Sequence, residues 1–360
     1  MSHRQAALDI SIRLAADADR ARWDAFVDAQ DASFYHYFAW RSIYRTGRAE
    51  FLPLLAESSR GDILGIFPLV ADHRRFFTTL ASLPVSAYGR PITASALPPA
   101  QQHELTDLLL AHAEQRLCGR CATFVVKDCP AAAGRDPAAL AALLGKRGFR
   151  LIRRRDRGLP CTHLLDLTAP VGDLRAAWGK GLRYEIRRAE REGLRMHVDH
   201  ALTHLDAAVE MFRATYRWHG TPPPAADDLR QSVRTFGDQA RLHIGLLDGT
   251  PRFAMLCYCT PTTCYISKTG YRGERAPHFK RAGYSHAIAD ACAMGLRTCE
   301  FGVTNTAGQA FFKGRFGVTP QPIHVYEKIC SLPRAILLKA PLAWRLVNAR
   351  LAPPRRGQDQ

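Results

Sequence analysis

Short apolar runs of strand length alternate with longer stretches of helical periodicity along most of this sequence, and that alternation restricts the chain to an α/β fold. FLPLLAE and GDILGIFPLV read as two strands joined across the turn-forming SSRGD. Leu105, Leu108, Leu109 and Ala113 then recur at helical spacing, ATFVVKD returns to strand, and DPAALAALLGKRG to helix. In the later half, ARLHIGLLDGTPRFAMLCYCTPTTCYISKTG reads as two or three antiparallel strands, followed by the helical SHAIADACAMG and the strand CEFG.

A chain of 360 residues suggests two domains, and the pattern restarts near Leu202. The expected units are residues 1–170, a basic connecting helix at 171–200, a second α/β unit at 201–330, and a C-terminal helix and tail at 331–360. No stretch has signal-peptide form, and no window supplies about 18 mostly apolar residues for a membrane span. A cytoplasmic location, or one at the inner membrane surface without integral insertion, is expected. The ten cysteines are dispersed, as in a reducing compartment. Cys118 and Cys121 have zinc-like spacing, yet no second half of a metal motif accompanies them, and no metal is expected.

Charge is unevenly placed. Residues 141–195 hold 14 Lys or Arg against six Asp or Glu, which is +8 of the chain's formal +17. From Asp173 to Glu192 the spacing predicts a helix with Leu174, Trp178, Leu182, Ile186 and Ala189 on one side and Lys180, Arg183, Arg187 and Arg191 on another. One side can pack while the other presents cations to a phosphate-bearing ligand or a nucleic-acid backbone. A solubilising helix face is the plainer reading of the same stripe.

Several separated segments resemble the FemAB-like and BioF2-like branch of acyltransferases with the GNAT fold. They are FYHYFAW at 34–40, KGLRYEIRRAEREGL at 180–194, YRWHGTP at 216–222, YISKTGY at 265–271 and FGVTNTAGQAFFKGRFG at 301–317. The resemblance covers most of residues 20–330. It implies an α/β fold of tandem GNAT-like domains with mixed, largely antiparallel sheets. It also implies amide formation: transfer of an aminoacyl group from aminoacyl-tRNA to a primary amine of a small molecule or cell-envelope precursor. Acyl-CoA is the alternative donor, no cofactor is tightly bound, and a noncatalytic tRNA-binding protein is the alternative from another class. The nearest counterpart of the pyrophosphate loop of ordinary GNAT enzymes, Lys280 to Ser285, is degenerate.

By this resemblance Lys313 lies near the reacting centre, and Lys180, Arg183, Arg187, Arg188, Lys268, Asn305 and Phe312 attend the donor, including the tRNA acceptor end. An activated ester or thioester needs chiefly alignment with a neutral amine, oxyanion stabilisation and removal of a proton. His219 and His278 are the candidate bases, with Glu274 near the latter in sequence and a water- or substrate-assisted route as the alternative. Trp40, Tyr88, Trp218, Tyr265 and Tyr271 are candidate walls of an acceptor cleft, core packing being the plainer role for each.

Overall fold

The computed structural model describes residues 9–44, 48–74, 77–84, 88–129, 137–152, 160–273, 276–304 and 306–339. The first half comprises β1 (Ile10–Leu14), α1 (Arg20–Ala29), β2 (Ala49–Ser58), β3 (Ile63–Arg74), β4 (Phe77–Ala81), β5 (Ile92–Thr93), α2 (Pro99–Leu117), β6 (Cys121–Asp128), α3 (Pro137–Lys146) and β7 (Arg150–Leu151). The chain continues with β8 (Cys161–Asp166), α4 (Val171–Ala177), α5 (Lys180–Arg191), β9 (Arg195–Val198), α6 (Leu205–Trp218), α7 (Ala226–Phe236), β10 (Ala240–Leu247), β11 (Thr250–Cys259) and β12 (Thr263–Tyr271). The last elements are α8 (Pro277–Ala293), β13 (Thr298–Glu300), α9 (Ala307–Gly314), β14 (Thr319–Pro322), β15 (His324–Ile329) and α10 (Leu332–Lys339).

Two sheets result. One runs β1-β2-β3-β4-β6-β15-β7, with β5 on β3; the other runs β14-β8-β13-β12-β11-β10-β9. Pairing is antiparallel except for β4 with β6 and β12 with β13, so among the described residues each sheet holds one parallel pair. The expected largely antiparallel α/β architecture is therefore present.

Sheet membership does not follow chain order. β8, inside the first half, lies between β14 and β13 of the second sheet, while β15 from the far end lies between β6 and β7 of the first. Each sheet thus borrows an interior strand, next to its edge, from the other half of the chain, which ties the halves together. The core does the same. Trp23, Phe34 and Phe38 share one apolar cluster with Phe212, Phe236 and Tyr258, and the Phe34 and Tyr258 rings stack at 4.3 Å. Burying each such ring stabilises the fold by about 1.5–3 kcal/mol.

The helix expected over Asp173–Glu192 is two helices. Trp178 and Gly179 take extended backbone angles between α4 and α5, so the periodic apolar side turns a corner there. Within α5, Leu182, Ile186 and Ala189 are buried and lean on α8, while Lys180, Arg187, Arg188 and Arg191 are exposed. The tail reading is met by α10, against β6, as far as Lys339; residues 340–360 lie outside the described residues. One close approach fixes α6 on β12. A Cβ at Gly270 would come within 2.4 Å of the Met211 carbonyl carbon, so only glycine lets helix and strand meet there.

Candidate active site

The second parallel pair separates along its length. β12 and β13 are in register from Thr263 with Thr298 to Tyr265 with Glu300. Beyond that, β12 shifts register against β11 between Ile266 and Lys268, leaving Ser267 as the extra residue of a bulge. On the other strand Gly302 turns the chain at φ +69°, a left-handed angle suited to glycine. The two strands diverge, and cavities open at the divergence.

A cavity of about 550 Å3 lies on the α8 and α9 side, with Lys268, Lys280, Arg281, Phe312 and Lys313 in its wall. A larger one of about 920 Å3 lies on the α6 and α7 side, with Tyr35, Trp40, Tyr216, Asp228 and Tyr258. Thr215, His219, Ile266 to Thr269, Gly302, Val303 and Gln309 line both, so the two adjoin through the gap between the strands. β11 shows that they occupy opposite faces of the sheet. Its Ala254, Leu256 and Tyr258 join the α6 and α7 cluster, whereas Phe253, Met255 and Cys257 join the α8 cluster.

Lys313 is only 5% exposed. Thr306 caps α9 by accepting the Gln309 N–H at 3.2 Å, and this short helix carries Lys313 back under the turn that precedes it. The ammonium donates to the carbonyl oxygens of Gly302 at 2.6 Å and Val303 at 3.1 Å. An ammonium has three protons, so one remains beyond those two bonds. Burial, aided by Lys280, pushes its pKa down to about 8, while Glu300 acts in the opposite sense.

Glu300 is buried at the end of β13. One carboxylate oxygen accepts the Tyr88 hydroxyl and the other accepts Thr162 Oγ1 at 2.9 Å. Burial raises its pKa, against the pull of those two hydroxyls and of Lys313. His163 Nδ1 meets Thr304 Oγ1 at 3.0 Å, and burial together with Lys313 lowers the pKa of that imidazole. Arg281 lies in the wall of the smaller cavity. Its Nε is 2.7 Å from Glu185 Oε2 of α5, which also accepts from Arg315 at 2.9 Å, and burial lowers the pKa of its guanidinium.

Of the residues singled out from the sequence, Lys313, His219, Lys268, Phe312, Trp218 and Tyr271 line the smaller cavity, and Trp40, His219 and Lys268 the larger. Lys268 Nζ donates to the Tyr216 hydroxyl at 3.3 Å. Tyr88 and Tyr265 are buried instead of forming walls: Tyr88 is spent on Glu300, and Tyr265 packs against Phe34 and Tyr35. His278 lines neither cavity, with Nε2 2.6 Å from Oε2 of Glu192, the C-cap of α5. Lys180, Arg183, Arg187 and Arg188 line neither cavity; α5 is joined to the wall of the smaller one by the Glu185–Arg281 ion pair. Asn305 and Glu274 lie outside the described residues.

Sequence reasoning passed over Glu300, Thr162 and His163, although a lone acid in the apolar CEFG run was the available signal. Lys280 and Arg281 were visible only as a degenerate loop, yet they stand on the first turns of α8 in the cationic wall.

Comparison with known proteins agrees with this fold. Residues 179–314 match the acetyltransferase (GNAT) domain model. Over 91% of this chain and 99% of the other, the fold superposes on the crystal structure of FemX with TM-score 0.70 at 12% identity. The chain has a tandem GNAT architecture. The tandem GNAT protein from the clavulanic acid biosynthesis pathway is also similar, at TM-score 0.54 and 13% identity over 89% of this chain and 99% of that one. So is the C-terminal domain of an Agrobacterium fabrum protein described as a lysylphosphatidylglycerol synthetase, at TM-score 0.57 and 15% identity over 93% and 96%. No curated protein matches the sequence. Among the described residues, no helix is long and apolar enough to cross a membrane.

Proposed function

We propose that this FemAB-like chain is an N-acyltransferase that moves an aminoacyl group from aminoacyl-tRNA to a primary amine of a small molecule or envelope precursor. The observation that carries the reading is the pair of adjoining cavities, one cationic and one aromatic, on opposite faces of a sheet whose central strands part between them. In open α/β sheets, ligands bind in the crevice outside the carboxyl ends of the strands, and the gap here opens beyond the carboxyl end of β13.

The donor enters on the cationic side. Its phosphate meets Lys280 and Arg281 at the start of α8, where helix dipole and side chains act together. The amine enters from the larger cavity, held against Trp40 and Tyr258 with Asp228 as the anionic group of that wall. The amine lone pair attacks the donor carbonyl; a C–N bond forms, the ester C–O bond breaks, and the departing ribose oxygen takes a proton to become a hydroxyl. His219, which lines both cavities, is placed to take the proton the amine loses.

Lys313 supplies charge beside the carbonyl. It also sets the turn: a trans peptide points N–H opposite to C=O, so holding the Gly302 carbonyl directs the Val303 N–H away from the lysine. That N–H and the one of bulged Ser267 are the proposed oxyanion donors. The basic outer side of α5, joined to the cavity wall through Glu185 and Arg281, favours a donor extending beyond the smaller cavity, as tRNA does. Lys280 and Arg281 on α8 favour acyl-CoA as the second reading. Incubating the purified chain with mixed amines and either charged tRNA or acyl-CoA, followed by mass analysis, separates these readings. An amide made from acyl-CoA with no RNA requirement rejects the first, and no amide from either donor rejects both.

A further inference from the structure

The loop that follows β4 belongs to the first sheet, yet it delivers the Tyr88 hydroxyl to a carboxylate of the second. Tyr88 is wholly enclosed, with Tyr35 edge-on at 5.3 Å and Cys129 and Ile323 about it. Glu300 takes that hydroxyl on one oxygen and Thr162 on the other, so both of its oxygens are held, one from each unit's side of the contact. Thr162 sits on β8, the strand borrowed by the second sheet. Two residues beyond Glu300 begin the carbonyls that hold Lys313.

We infer that Tyr88 and Glu300 are positioning residues: the first unit's loop fixes a buried carboxylate two residues before the turn that holds Lys313, and that carboxylate keeps the ammonium docked on the Gly302–Val303 turn. Tyr88 has no room to touch substrate and acts through Glu300. The groups facing Lys313 are Lys280 from α8, Cys161 and His163 from β8, and Glu300 from β13. Of these Glu300 is the carboxylate, so it opposes the repulsion from Lys280. Around Glu300 stand Tyr88, Tyr265, Thr162 and Lys313. The inference rests on the transferase reading for its consequence, which is that chemistry in the second unit depends on a residue of the first.

The test is a pH titration by NMR of the full chain labelled with 13Cε-lysine and free of any donor, the Lys313 resonance being assigned by its loss in Lys313→Met. The wild-type midpoint is expected at about 8. Glu300→Gln should lower it by about one unit, Tyr88→Phe by less, and Glu300→Asp should restore part of the shift. If Glu300→Gln loses its cooperative thermal transition, Tyr88→Phe alone decides. Coincident midpoints in wild type and a folded variant overturn the inference, since a merely structural role would lower stability without moving the titration. Because no donor is present, the result stands apart from the transferase reading: a shift in a chain that makes no amide keeps the dyad, and an active chain with no shift loses it.

Discussion

Each sheet contains one parallel strand pair, and the two pairs meet opposite fates. β4 and β6 are in register as far as Ala81 with Val125. The gap beyond is stitched by the chain itself: Ser82 N–H donates to Val125 O at 2.9 Å, Lys127 N–H to Ser82 Oγ at 2.8 Å and Gly89 N–H to Lys127 O at 3.1 Å. Leu83 is fully buried in this loop, and Arg90 is paired with buried Asp128 at 3.2 Å. β12 and β13 part in the same way, but a bulge and a left-handed glycine hold their gap open and cations line it. A shared strand arrangement does not make a site; what fills the gap decides. In the first unit the cations serve internal partners, as when Lys127 Nζ donates to Pro84 O, and in the second they face a cavity.

Two lysines give the sharpest way to break this comparison, since burial drives both Lys127 and Lys313 down to about 8. Lys313→Met should cut turnover on the order of 10²–10³-fold, the usual effect of losing an electrostatic contribution beside a developing oxyanion. Lys127→Met should leave turnover close to wild type. Steady-state rates for both, in proteins with cooperative melting transitions, are the check. Equal losses would mean that the stitched gap also works as a site.

The same pair sharpens the comparison through stability. A lysine whose native pKa lies below its unfolded value of about 10.5 sheds its proton first in the native state. The unfolded chain then binds more protons between pH about 8 and about 10.5, so this contribution to stability rises with pH across that window. For Lys313 the displacement corresponds to about 3 kcal/mol. Lys127, driven down as far by burial, should give a contribution of similar size. Urea unfolding of wild type and each Met variant across the window measures it as a difference, which cancels the buried tyrosines and cysteines that titrate in the opposite sense. A difference that stays flat for Lys313→Met would show that its ammonium is hydrated.

The sequence made the α/β alternation, the apolar stripe of α5 and the neighbourhood of Lys313 legible, because each depends on residues within a turn or two of one another. It could not reveal the exchange of β8 and β15, since CTHLLD alternates as well in one sheet as in the other and long-range pairing selects between them. Tyr88 shows the same limit within the site. An aromatic with a polar edge suits a cleft wall and a buried hydrogen bond alike, and only the carboxylate of Glu300, 212 residues away in the chain, distinguishes them. His278 suited proton transfer by chemistry, and Glu192 one helix away claims it.

The smallest effect concerns charge outside the cavities and compares the two units once more. Lys180 and Arg187 are exposed on α5 of the second unit, and Arg60 and Lys146 are exposed on the first unit. Changing either pair to Gln removes the same net charge. If tRNA lies along α5, Lys180→Gln with Arg187→Gln should raise KM for charged tRNA about tenfold and make its salt dependence shallower by roughly two in log–log slope. Arg60→Gln with Lys146→Gln should change neither, because a Debye length of about 8 Å at physiological ionic strength screens charges that do not meet the ligand. Equal effects from the two pairs would assign the chain's attraction for RNA to its overall charge of +17 and leave α5 as a solvated face. An effect confined to the α5 pair would make it the track along which the donor approaches the parted strands.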